Sequence, residues 1–263
     1  MKPIIKIPDS FYGGLGEEMM YNIEFHVNGK RVRPIIKWWR ENHREESIAA
    51  GENRVERFIV DVRGMGIEQA GDIEGLDGVD RIDELWLDDN HVADLAPFTR
   101  MPWAPKLKVL RASNNRIARI PDLSAFGSLE SLSLGESIER IEGLDGLKYL
   151  KFLRLGSNIT KTEGIGKLSS LETLNLSHNN IKNFNVKELL SLYNLKYLDI
   201  SFNRITNIPD LTGLKLMNIV IGDNPIQNVN PRTVKLAGKG PGLLLFYCDQ
   251  SMYTKFFNKT ENK

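Results

Sequence analysis

Apolar residues recur along the middle of the chain in a fixed frame. In Leu171-Glu-Thr-Leu-Asn-Leu-Ser-His-Asn-Asn-Ile181 they hold the first, fourth, sixth and eleventh places, and Asn179 holds the ninth. The frame also opens at Ile82, Leu107, Leu129, Leu150, Leu195 and Leu216, so that successive starts lie 25, 22, 21, 21, 24 and 21 residues apart. A longer self-match, Ile73-Glu-Gly-Leu-Asp-Gly-Val79 against Ile141-Glu-Gly-Leu-Asp-Gly-Leu147, has an offset of 68 residues, which is three repeats. Apolar residues at places four and six predict a short strand with one buried face. One such unit cannot bury that face alone, so neighbours must stack into a continuous core. At place nine, Asn90, Asn115, Asn158, Asn179, Asn203 and Asn224 offer both a donor and an acceptor to the backbone of the turn after the strand. Ser137 replaces asparagine in the third copy, and Ser137-Ile138 and Asn158-Ile159 lack the spacer before the apolar residue. The turns there are expected to be irregular.

The pattern L-x-x-L-x-L-x-x-N-x-L is the leucine-rich repeat consensus. From about Arg57 to Val229 the chain resembles the short-repeat leucine-rich repeat proteins, whose best-known intracellular member regulates a serine/threonine protein phosphatase. The resemblance implies an α/β solenoid, curved, with a parallel β-sheet on the concave face, an irregular, 3-10 or short helical convex face, and a cap at each end. It also implies a non-enzymatic scaffold or regulator whose protein partner is a phosphatase, a GTPase or another signalling enzyme. The matching positions are architectural, so no partner-binding residue is carried over.

Residues outside the frame are expected to cover the apolar cross-sections at its ends. The N-terminal cap is assigned to 1–54, the repeats to 55–229, and the C-terminal cap and tail to 230–263. Tyr21 to Val27 alternates, Asn28-Gly29 follows, and Lys30 to Arg33 can return as a hairpin. Pro34 can open a helix, with Ile35, Trp39 and His43 on one face and a stop at Gly51. Trp38 and Trp39 then belong to the cover, with a separate binding role as the alternative. Arg57 to Val62 reads as the strand of a divergent first repeat. Trp103 is expected under a convex loop, or else at a second contact site, and Val186 to Tyr193 as a helical turn. Pro231 to Ala237 suits a short helix and Leu243 to Cys248 a strand.

Thirty-five basic against thirty-four acidic residues, a net charge of +1, argue against a general nucleic-acid or membrane-surface binder. The one cysteine, Cys248, cannot form an internal disulfide, which points to a reducing compartment. No secretory leader or membrane span is read, so the expected place is the cytoplasm, with non-classical export as an effector left open. The four histidines lack metal-ligand spacing, and Gly238-Lys-Gly-Pro-Gly242 lacks the phosphate-loop pattern. Cys248 lies in an apolar run that suits an inert thiol. No enzyme, metal or cofactor is expected, and the chain is expected to be a monomer.

Function is therefore sought on the strand face between the consensus residues. Places three, five and eight give the candidate partner-binding set: Trp86, Asp89, Arg111, Phe152, Arg154, Asn175, His178, Tyr197, Asp199 and Phe202. Trp, Tyr and Arg are enriched at interface hot spots. The arginines can fork onto a carboxylate or phosphate. Asp83, Glu84, Asp88 and Asp89 suggest an acidic end facing a basic element of the partner. The alternative is a ribonucleoprotein component, in which the aromatics stack bases beside Arg111 and Arg154.

Overall fold

Places one, four, six and eleven face inward, and from Ile82 to Ile221 nearly all of them are fully buried in one continuous core. Each copy supplies one short strand, and stacking puts these strands in parallel register. The computed structural model describes residues 25–27, 30–32, 35–40, 54–236, 245–248 and 250–256. The strands are β1 (Phe25–Val27), β2 (Lys30–Val32), β3 (Ile35–Arg40), β4 (Arg54–Asp61), β5 (Ile73–Glu74), β6 (Glu84–Trp86), β7 (Val109–Ala112) and β8 (Ser131–Ile138). They continue with β9 (Phe152–Ser157), β10 (Thr173–Asn175), β11 (Tyr197–Asp199), β12 (Asn207–Ile208), β13 (Asn218–Val220), β14 (Asn228–Val229) and β15 (Leu245–Tyr247). The main sheet runs β15-β13-β11-β10-β9-β8-β7-β6-β4-β3, parallel throughout except for the antiparallel β3–β4 edge. Among the described residues, helix is confined to single turns and to three short segments, α1 (Val186–Leu190), α2 (Pro231–Val234) and α3 (Gln250–Phe256). This is a leucine-rich repeat solenoid of about eight turns.

The place-nine asparagines join each turn to the one before it. Asn203 accepts from the Ile181 N–H at 3.0 Å and donates to the Leu176, Ile200 and Ser201 carbonyls at 2.8–3.1 Å. Asn90, Asn115, Asn179 and Asn224 repeat the pattern, each reaching a carbonyl and an N–H of the preceding copy. The expected irregularity falls where this ladder is interrupted. β8 extends to Ile138, its pairing with β9 slips between Leu134 and Ile138, and Asn158 is exposed, whereas Asn90, Asn115, Asn179 and Asn203 are buried. Asn158 thus departs from the other place-nine asparagines at the turn where irregularity is expected. Without the spacer, the chain is one residue short of the turn that would carry its amide inward.

The self-matching Ile-Glu-Gly-Leu segments share a backbone requirement. Gly75 and Gly143 have φ of +89° and +72°, a region open to glycine at little cost. A Cβ on Gly143 would stand 2.1 Å from the Pro121 carbonyl oxygen of the preceding turn.

At the N-terminal end, β1 pairs with β2, with Phe25 opposite Val32, and β1 also pairs antiparallel with β5. Val27 thereby enters the core. The helix expected from Pro34 to Gly51 is not formed over 35–40, which is strand β3 paired along β4. Ile, Trp and Lys at alternate places fit a pleated ribbon, and the open edge of β4 supplies the hydrogen bonds that a helix would have made internally. Of Trp38 and Trp39 only the pairing with Glu56 and Val55 is described. Gly51 and the rest of the expected helix lie outside the described residues.

Trp103 is fully buried, stacks on Phe126 at 6.4 Å and donates its Nε1–H to the Leu76 carbonyl at 3.0 Å. That burial removes it as a second contact site. The expected convex helical turn is α1, and the segments expected near 231 and 245 are α2 and β15. β15 continues the parallel sheet past β13, and Cys248 after it is half-buried against the core.

Replacing Asn203 by alanine strands one N–H and three carbonyls at a buried turn. The expected loss is about 2–4 kcal/mol, against less than about 1 kcal/mol for Asn158→Ala at its exposed site. Urea unfolding of both variants checks the contrast.

Candidate functional site

Parallel register sets the candidate residues in rows. Row five reads Asp61, Trp86, Arg111, Ser133, Arg154, Asn175, Asp199 and Val220, and row three reads Ile59, Glu84, Val109, Ser131, Phe152, Thr173, Tyr197 and Asn218. The ten predicted residues form two groups. Trp86, Asp89 and Arg111 belong to the β6–β7 turns, and the other seven to the β9–β11 turns, with small Ser131 and Ser133 between. At 4.7–4.9 Å per strand, the step from β7 to β9 is roughly 10 Å.

The first group is internally satisfied. Trp86 has the Arg63 guanidinium 4.9 Å and the Arg111 guanidinium 5.4 Å from its ring centre, and its Nε1–H donates to Glu84 at 3.1 Å. Each cation is held in turn: Arg63 forks onto Asp61 at 2.7–2.8 Å, Arg111 pairs with Asp88 at 2.9 Å, and Arg57 pairs with Glu84 at 2.7 Å. Asp83 is buried, accepting from Arg81 and from the Phe58 N–H. The expected acidic end is thus neutralised from within. Only Asp89 is exposed, and it accepts from Asn114 at 2.7 Å. Trp86 is a packed member of this network and not an open anchor. Sequence reading missed Arg63, although it sits at place seven of the divergent copy, two residues after Asp61.

The second group is engaged only in part. Arg154 is exposed and, among the described residues, makes no ion pair or hydrogen bond. It stands in row five between Ser133 and Asn175, with no carboxylate on either neighbouring strand of that row. Asn175 and Asp199 are committed to local turns: each accepts from the N–H and hydroxyl of the serine two residues on, Ser177 and Ser201, at 2.7–3.0 Å. Phe152 and Tyr197 are half-buried in row three, on either side of Thr173.

Place eight has a special backbone. Asp89, Asn114, His178, Phe202 and Asp223 all have φ between +52° and +61°. Asp and Asn adopt this region readily, whereas a bulky aromatic there is strained by about 1–3 kcal/mol. Phe202 occupies it nonetheless, 48% exposed, with its ring stacked on His178 at 4.2 Å and 8°. A hydrophobic side chain held in a costly conformation and left in solvent contributes little to the core beneath it.

A family model for the leucine-rich repeat matches residues 170–192 and 194–214. No curated protein sequence matches the chain. Among solved structures, internalin C2 of Listeria monocytogenes is similar at 23% identity and a TM-score of 0.57, over 73% of this chain and 80% of that one. A leucine-rich repeat protein of Leptospira interrogans is similar at 22% identity and a TM-score of 0.52, over 66% of this chain, which spans 50% of that protein. The repeats and the fold are those of leucine-rich repeat proteins. These repeats are common protein-interaction modules. Among the described residues, no group of three or more His, Cys, Asp or Glu is placed to hold a metal ion, and no helix is long and apolar enough to cross a membrane.

The Arg63 hydrogen bond, outweighing the opposing effect of partial burial, holds the Asp61 carboxyl below its ordinary range. A carboxylate whose folded pKa is depressed adds stability above its unfolded pKa and loses it as pH falls through the folded value. The wild type should therefore lose stability on acidification from about pH 5 to pH 2 more steeply than Asp61→Asn. Urea midpoints across that range check it, and parallel curves would remove the pair from the acid response.

Proposed function

We propose that this chain is a non-enzymatic scaffold or regulator that holds a protein partner on its concave strand face, in the half formed by β9, β10 and β11. The observation carrying this reading is Phe202, half-exposed at φ +52° and stacked on His178, in the same half as the unpaired Arg154. Solenoids present extended concave surfaces of this kind. Aromatic residues, phenylalanine included, and arginine are enriched at protein interfaces. The β6–β7 half serves a different purpose in this reading: its closed ion-pair network shapes and stiffens the neighbouring surface.

The partner has a flat apolar group for Phe202 and His178 and a carboxylate or other anion for Arg154. A signalling enzyme such as a phosphatase or GTPase fits that description, and the single cysteine supports a reducing, cytoplasmic setting. Residues 1–54 and 230–263 act in this reading as caps on the repeat stack.

The test is affinity capture from native lysate with wild type, Arg154→Ala/Phe202→Asn and Trp86→Ala, each checked by circular dichroism. Capture should be lost in the double variant. Its stability should stay within about 1 kcal/mol of wild type, because asparagine relieves the positive φ while the ring stack is lost. Trp86→Ala should retain the partner at reduced stability. Equal capture by wild type and the double variant would overturn the proposal.

A further inference from the structure

The two margins of the sheet treat their charges differently. Along place two, Lys108, Glu130, Lys151, Glu172 and Lys196 alternate in sign, and Lys151 pairs with Glu130 at 3.0 Å and Lys196 with Glu172 at 2.7 Å. That margin neutralises itself. On the other margin, where the chain leaves the strands, Arg140, Lys161, Lys182 and Arg204 come from four successive copies. All four are exposed, and none of their side chains makes an ion pair or hydrogen bond among the described residues.

Three of them, Lys161, Lys182 and Arg204, line an open groove of about 720 Å³. Its remaining wall includes Asn180, Asn183 and half-buried Phe184, which packs on the core. Glu163 is the one acidic residue in the lining. Among the described residues, no cap or turn uses the charged groups of these three side chains.

We propose that this groove is a second interaction surface, separate from the concave face, and that its occupant is an acidic segment of polypeptide in extended form. Successive strands stack about 5 Å apart and an extended peptide sets same-side side chains roughly 7 Å apart, so long cationic side chains presented once per repeat can reach two or three of its carboxylates. The Asn183 amide can pair with peptide groups of the segment, and Phe184 gives it an apolar floor. A chain with a net charge of +1 lacks the broad positive field that a nucleic-acid backbone calls for. The short row of cations matches a short row of carboxylates instead.

The test measures fluorescence anisotropy of a short labelled peptide of alternating Glu and Ser against the full chain. Lys161→Ala/Lys182→Ala/Arg204→Ala should weaken binding on the order of tenfold, and Glu163→Gln should tighten it about twofold, in line with exposed charge pairs. Added salt should weaken binding. Arg154→Ala/Phe202→Asn should bind the peptide as the wild type does, so this surface and the concave one fail or stand independently. Unchanged binding by the triple variant, no binding by the wild type, or tighter binding of an oligouridylate of equal length would overturn the proposal.

Discussion

The solenoid depends on the asparagine at place nine. A strand of three residues ends in a tight turn that drives N–H and carbonyl groups into the core, and there is no water to receive them. One amide meets the demand from two copies at once: Asn203 bonds the Ile181 N–H and the Leu176 carbonyl of the turn before it, and the Ile200 carbonyl of its own. Stacking and turn formation are therefore the same event. Where the asparagine fails, at Ser137, the sheet supplies the missing bonds by lengthening β8 to Ile138 and re-pairing with β9. The backbone demand is constant, and only the group that answers it changes.

This constraint also explains why the sequence was legible where it was. The residues at places one, four, six, nine and eleven do the same physical task in most copies, so their spacing declares the fold without any tertiary knowledge. The interruption at Ser137 and Asn158 was legible for the same reason, as a departure from a fixed frame. Strand β3 was not. Ile35 to Arg40 has no repeat partner, and its apolar residues suit either a helix face or a pleated ribbon. What decides between them is the open edge of β4, which lies outside the segment itself.

The candidate site was legible as a set of rows and illegible as a set of states. Register correctly put Trp86 and Arg111 on adjacent strands and Arg154 in the same row. It could not show that Arg63 closes over one face of Trp86, or that Asp88 holds Arg111, because both depend on place seven, whose residues vary from Arg to Gly to Ser. Nor could it show that Asn175 and Asp199 are spent on Ser177 and Ser201. Chemical type marks what a side chain could meet. Availability depends on whether a neighbour has already met it.

Availability in turn follows from how the copies differ. Asp61, Asp88 and Glu84 supply carboxylates to the first turns, and every cation near them is engaged. Ser133 and Asn175 flank Arg154 in row five, so it finds no carboxylate on either adjacent strand of that row. Phe202 stands where Asp89 and Asn114 stand in earlier turns, in a backbone conformation that favours those smaller residues. The substitution of a strained aromatic for a relaxed polar residue gains the core nothing, because place eight points away from it. The gradient from a closed network to an open surface is thus written in the positions that the repeat leaves free, while the repeat guarantees that both are displayed on one rigid sheet.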